Sequence, residues 1–179
     1  MLPAVVELDQ LCLGGLWSID GYQREIDSPN SELLVLKFSS PANELGAVIG
    51  LACLWCIVDE AHITLLAVHP DYQRRGLGQL LLRSLLSQAV GRQMARATLE
   101  VRAGNQGAIA LYTQFGFEQA GRRRGYYQAT GEDALIFWRP GLQTPEFALE
   151  LSAWQARIHQ RLQQQNWRLR DSGSGQASL

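Results

Sequence analysis

Lysine is almost missing from this chain: Lys37 is the only one, and arginine carries the other 15 basic charges. Against 17 acidic residues this leaves a formal net charge of −1, so no broad attraction to nucleic acid or to an anionic membrane is implied. Cysteine is scarce too. Three thiols, an odd number without framework spacing, argue against a disulfide scaffold and fit a reducing compartment. The three histidines, His62, His69 and His159, are scattered and match no metal-ligand spacing, so no metal is expected. No apolar run is long enough to span a bilayer, and the N-terminus lacks a basic region followed by an apolar core. These absences lead to the expectation of a cytoplasmic protein with neither a membrane nor a nucleic acid as direct partner. No internal repeat is present.

What the chain does have is a regular succession of apolar segments. Residues 4–27 suggest a short strand and one or two short helices. Leu33 to Phe38, Ala47 to Val58 and Ala61 to Val68 read as three strands of an antiparallel meander, with a turn at Ser39 to Asn43 between the first two. Cys53 and Cys56 fall inside the second strand. Side chains three apart on a strand point to opposite faces, so the pair reads as buried thiols rather than a redox or metal pair. A leucine-rich helix follows over 78–90, then a strand at Ala97 to Val101 and a helix from Asn105 to Phe115. Phe117 to Tyr127 and Leu135 to Arg139 make a final hairpin. Beyond Pro140 a helix starting at Pro145 presents Phe147, Leu151, Trp154, Ile158 and Leu162 on one side. That stripe suits packing on the domain's own sheet edge or docking of a partner. The expected organisation is one α/β (α+β) domain over 1–140, with a mixed central sheet of about six to seven strands and flanking helices. A helical extension over 141–170 and a Ser/Gly-rich, disordered tail over 171–179 complete it.

One hexapeptide stands apart. Gln73-Arg74-Arg75-Gly76-Leu77-Gly78 lies between the third strand, ended by His69-Pro70-Asp71, and the leucine-rich helix. Its glycines permit a tight turn, and the first turn of the helix directs N–H groups outward, as a phosphate or pyrophosphate requires. An ordinary Gly-rich strand-to-helix loop would look the same. Two commoner nucleotide sites are excluded. Gly76-Leu77-Gly78 lacks the glycine three residues later that a dinucleotide fingerprint needs, and no Lys-Ser or Lys-Thr pair completes a P-loop.

The segment Leu65 to Gly78, with Leu99-Glu100-Val101-Arg102, Asn105, Ala108 to Tyr112, Gly116-Phe117 and Arg123-Arg124-Gly125-Tyr126-Tyr127, resembles the GNAT (Gcn5-related N-acetyltransferase) superfamily, and within it the RimI-like branch. The likeness spans roughly residues 45–139. Gly125 and Gln128 stand where that branch usually has asparagine and proline. The resemblance implies a GNAT fold and acetyl-CoA as cosubstrate, without a metal. It implies that Leu66, Ala67 and Val68 hold the pantetheine arm, that Arg74, Arg75, Gly76, Leu77 and Gly78 take the pyrophosphate, and that Asn105 touches the pantetheine side. Glu100 becomes the general base, Tyr112 the general acid, and Tyr126 and Tyr127 line the slot for the acceptor. The implied reaction moves acetyl to the N-terminal amine, alanine by preference, of a small-subunit ribosomal protein. The alternatives are acetylation of lysine or small amines, or a CoA-binding interaction module.

The chemistry of the groups agrees with this. A free α-amine has a pKa of about 7.7–8.0 and is roughly a quarter to a third neutral near pH 7.5, whereas a lysine amine near 10.4 is neutral about one time in a thousand. A carboxylate therefore suffices as base for an N-terminus, and a phenol near 10 keeps its proton for a departing thiolate. Glu100 on a solvated strand face paired with Arg96 or Arg102, Tyr112 in the core, and Asn105 as a helix cap remain the alternative readings.

Overall fold

The structure, a computed structural model, describes residues 1–40, 43–171 and 176–178, and the side chains within 1–39 and 46–169. Two helices, α1 (Leu2–Leu13) and α2 (Ile19–Asp27), precede a meander of β1 (Ser31–Ser40), β2 (Asn43–Ile57) and β3 (Glu60–Val68). A 3₁₀ turn over Pro70–Tyr72 leads into α3 (Leu77–Gly91), followed by β4 (Arg96–Arg102), α4 (Gln106–Gln114), β5 (Glu118–Tyr127), β6 (Glu132–Pro140) and α5 (Pro145–Gln164). Two short strands, β7 (Arg170–Asp171) and β8 (Gln176–Ser178), close the described chain. All eight strands form one sheet, in the order β5-β6-β4-β3-β2-β1-β8-β7. The six long strands match the expected count, and β8 adds to them by parallel pairing with β1. The disordered tail expected over 171–179 lies largely outside the described residues, as does part of the turn at Ser39 to Asn43.

The short strand expected within residues 4–27 is absent; α1 takes its place. Ala4-Val5-Val6 is a β-branched run, but Val5 and Leu8, one helical turn apart, are buried against the sheet, and burial outweighs local propensity. Gly14, at φ 81°, ends the helix in a conformation that favours glycine. Asp9 is fully buried, and its carboxylate accepts from the Leu16 and Trp17 backbone N–H groups at 3.1 and 3.0 Å, which fixes the link to α2.

The sheet has two apolar faces. One carries Val35, Leu51, Cys53 and Leu65 under α1 and α2. The other carries Leu36, Ile49, Leu54 and Ile63 under Leu81, Leu85, Phe115 and Trp154 of the helical layer. Cys53 and Cys56 divide between these faces, as strand alternation requires. Cys53 is fully buried, and burial pushes its thiol up to about 11; Cys56 is only partly buried. Helix α5 does not pack on a sheet edge. Phe147, Leu151, Trp154, Ile158 and Leu162 are all buried in the second face, where the Trp154 ring lies 4.4 Å from Phe115 and 5.9 Å from Phe147; Leu149 points to solvent. Its polar side is tied to the rest of the chain by Arg139–Glu150 at 2.6 Å and by Arg83–Gln155 at 2.7 Å.

Candidate active site

Strands β3 and β4 are parallel neighbours that part company. Their pairing runs from Glu60/Arg96 to Ile63/Leu99 and stops, although β3 continues to Val68 and β4 to Arg102. The divergence starts at a bulge: Leu54 opposes Ile63 while Cys53 opposes Leu65, so Thr64 is an extra residue, its hydroxyl donating to the Cys53 carbonyl at 3.3 Å. A bulge bends and twists its strand. Beyond it, Leu66, Ala67 and Val68 pair with β2 on one side and have no strand on the other. A wedge with a free strand edge results, and α3 and α4 both start at its mouth. Ligands of open α/β sheets collect at such points.

The cradle forms one lip of the wedge. Gly76 is the N-cap of α3 at φ 95°, and Arg74 sits at φ 63°, an uncommon conformation for a residue with a side chain. No side chain caps α3, so its leading N–H groups remain for an anion. A side chain at Gly78 would meet Leu111 and Leu66 only at ordinary contact distance, so Gly76, not Gly78, is the position that demands glycine. Arg75 donates to the Asp71 carbonyl at 2.9 Å, and Gln73 donates to that of Val68 at 3.0 Å. The sequence carries no signal for a further brace. Arg161, from the far end of α5, donates to the Arg74 carbonyl at 2.8 Å, and its side chain lies beside Gly76. Gln79, Gln114, Arg157 and Arg161 line a cavity of about 150 Å³ between the helices next to the cradle.

Asn105 caps α4, its Oδ1 accepting from the Ala108 N–H at 3.1 Å, which leaves the amide nitrogen to donate to a ligand. Seven residues on, Tyr112 is buried with its ring edge-on to Phe117. Burial pushes its phenol far above the ordinary value, with Tyr127 adding to the effect. Glu100 projects from the opposite face of β4. It does not pair with Arg96 or Arg102: its carboxylate meets His62 Nε2 at 3.1 Å and Arg123 at 3.4 Å, with 16% of its side chain exposed. Arg96 goes instead to Asp59 and Glu60, and Arg102 to Glu132. Glu100 and Tyr112 thus stand on different sides of the sheet, with Tyr127 electrostatically coupled to both.

The β5–β6 hairpin supplies the third wall. Arg102 covers the Tyr127 ring at 3.9 Å, Tyr126 lies 5.3 Å from Tyr127, and Arg123 lies over Tyr126. Asp133 anchors this wall through the Gly125 N–H at 2.7 Å and Arg122 at 2.6 Å, bonds that hold its carboxyl below the ordinary range. Among the described residues no cluster of three metal-ligating side chains exists, and no helix is long and apolar enough to cross a membrane.

A parted parallel strand pair thus sets a free strand edge beside an uncapped helix start, with a carboxylate and a phenol at its flanks. The Acetyltransferase (GNAT) family model matches residues 2–117, and the chain belongs to that family. It is 38% identical to the [ribosomal protein bS18]-alanine N-acetyltransferase of Escherichia coli (strain K12) over 141 residues, 78% of this chain and 90% of the relative. It is 35% identical over 127 residues to the N-alpha-acetyltransferase RimI of Mycobacterium tuberculosis, covering 69% and 75%. The crystal structure of the ribosomal-protein-S18-alanine N-acetyltransferase from Escherichia coli superposes with a TM-score of 0.64 at 34% identity, covering 78% of this chain and 86% of that one.

Proposed function

We propose that this chain moves acetyl from acetyl-CoA to the N-terminal α-amine of a protein, with the N-terminal alanine of ribosomal protein bS18 as its substrate. The observation that carries the reading is the wedge, whose free strand edge runs straight into the uncapped start of α3. A thioester arm laid along β3 gains backbone hydrogen bonds from Leu66 to Val68, and the amides of Arg74 to Gly78 receive the pyrophosphate. The names of the relatives support the acceptor. The cosubstrate supplies an activated acyl group; everything else comes from the chain.

Glu100 takes the proton that the attacking amine must lose as its nitrogen bonds to the acyl carbon. Tyr112, its phenol kept protonated by burial, gives a proton to the sulfur as the carbon–sulfur bond breaks. Because the pKa of Tyr112 is raised, its acid form persists through and beyond the neutral range. Tyr126 and Tyr127 line the entrance for the peptide, and a narrow aromatic slot favours a small first residue such as alanine.

Mass spectrometry of a bS18 N-terminal peptide incubated with the protein and acetyl-CoA should show one acetyl group on the α-amine. Acetylation confined to lysine side chains or to small amines would move the function to that branch of the family and refute the N-terminal assignment. A second expectation concerns α5. Replacing Arg161→Ala removes the charged donor that holds Arg74 in its left-handed conformation. The KM for acetyl-CoA should rise roughly three- to tenfold, as loss of one such hydrogen bond implies, with kcat unchanged. An unaltered KM would show that α5 plays no part in cosubstrate binding.

A further inference from the structure

Behind Glu100 lies a chain of polar groups that no motif announced. Thr98, buried on β4, donates its hydroxyl proton to Glu60 Oε1 at 2.7 Å. His62 Nδ1 lies 2.9 Å from the same Thr98 oxygen, and His62 Nε2 lies 3.1 Å from Glu100 Oε2. Pairing in register makes this possible: Glu60 and His62 on β3 lie beside Arg96 and Thr98 on β4, and the parallel ladder ends one residue later.

Burial alone would raise the Glu60 carboxyl, but hydrogen bonds from Thr98 and Arg96 outweigh it and hold the group below its ordinary value, so Glu60 is an acceptor. The single Thr98 proton is therefore committed to Glu60, and His62 Nδ1 must carry the proton of the middle link. A carboxylate at Glu100 can only accept, so the third link needs a proton on His62 Nε2 as well. Three links need three protons, while threonine and a neutral imidazole bring two. The geometry holds a place for one more, between Glu100 and His62.

We propose that His62 is a positioning residue for the base: with its Nδ1 proton held by Thr98, which Glu60 orients in turn, it turns a bare Nε2 toward Glu100 and completes Glu100 as a two-group proton acceptor. This rests on the reading of Glu100 as the base. An isolated carboxylate near 4.3 is a weak acceptor for a proton from an amine near 7.7–8.0, and an imidazole near 6.5 closes most of that gap. The competent form is the chain with two protons, in which the His62 Nε2 lone pair faces Glu100. As the amine nitrogen bonds to the acyl carbon, its proton enters the Glu100–His62 link and completes the third hydrogen bond. The chain resets when Glu100, 16% exposed, releases the shared proton to water and the His62 Nε2 lone pair faces it again, the Nδ1 proton staying throughout in its hydrogen bond to Thr98. The charged neighbours on every side are accounted for. Arg96 and Asp59 flank the Glu60 end, Arg123 of β5 flanks the Glu100 end, and the Trp55 ring of β2 stands 6.4 Å from His62.

Two measurements test this. In the ¹⁵N spectrum of histidine-labelled protein, neutral His62 should be the Nδ1–H tautomer with a bare Nε2 facing Glu100; in Thr98→Val, which removes the acceptor of the Nδ1 proton, the Nε2–H tautomer should take over. His62→Gln, which keeps hydrogen-bonding capacity but has no basic nitrogen to share the proton, should lower kcat roughly 10- to 100-fold with the acetyl-CoA KM unchanged. His62→Gln within twofold of the parent, or neutral His62 held as the Nε2–H tautomer in the parent, overturns the proposal. If Glu100→Gln itself leaves turnover intact, it is the base assignment that fails, and the His62 tautomer still reports on how Thr98 orients the ring.

Discussion

Glu100→Gln is expected to lower kcat by about 10² or more while acetyl-CoA binds as before. The magnitude is that of losing one positioned general base, toward the low end because an N-terminal amine needs only modest help. Binding should be spared, since the Glu100 carboxylate meets His62 and Arg123 and no group of the cradle. Folding should be spared too. Arg123, the charged partner left behind, is about half exposed, so water takes over its solvation. Tyr112→Phe should behave alike in kcat, by loss of the proton donor to sulfur, with ring packing on Phe117 intact. Steady-state kinetics with bS18 peptide, paired with calorimetric titration of acetyl-CoA, separates the two quantities. Retention of full turnover in both variants would remove the pair from the reaction.

The second large effect is on stability. Trp154→Ala should destabilise the fold by about 3–5 kcal/mol, the usual cost of deleting a large aromatic side chain from a packed core. The indole is 7% exposed and bridges Phe115, at the end of α4, to Phe147, at the start of α5. Those contacts join the helix carrying Tyr112 to a segment that sequence alone placed on a sheet edge or on a partner. Urea unfolding monitored by fluorescence and by far-ultraviolet circular dichroism measures the change. A loss under about 1 kcal/mol would mean that α5 rests on the domain without being part of its core. Because Arg161 lies two turns beyond Trp154 on the same helix, the variant should also weaken acetyl-CoA binding.

Local pattern carried much of this molecule. Periods of two and of about 3.6, broken at His69-Pro70 and at Gly116, located six strands and three helices, because alternation and amphipathicity follow directly from which faces must be buried. The glycine pair located the cradle, since only a residue without a side chain accepts the φ of Gly76. The first helix was misread because its valines favour a strand locally, and only the sheet beneath it decides otherwise. Spacing could not show the partners of Glu100. His62 lies 38 residues away in the chain and reaches it through parallel pairing of β3 and β4; a parallel neighbour, unlike a hairpin partner, leaves no turn signal in the sequence. Arg161, 87 residues from Arg74, is equally out of reach of any local pattern.

The sequence by itself thus determined most of the elements and the glycine-rich turn into α3, both consequences of side-chain chemistry acting within a few residues, while Glu100, Asn105 and Tyr112 carried the resemblance to the family. Only the tertiary structure decided how β3 and β4 separate at Thr64, which groups surround Glu100, and that α5 braces the cradle. Those features depend on strand register and helix packing, set by contacts between residues far apart in the chain, and burial energy rather than local preference selects them.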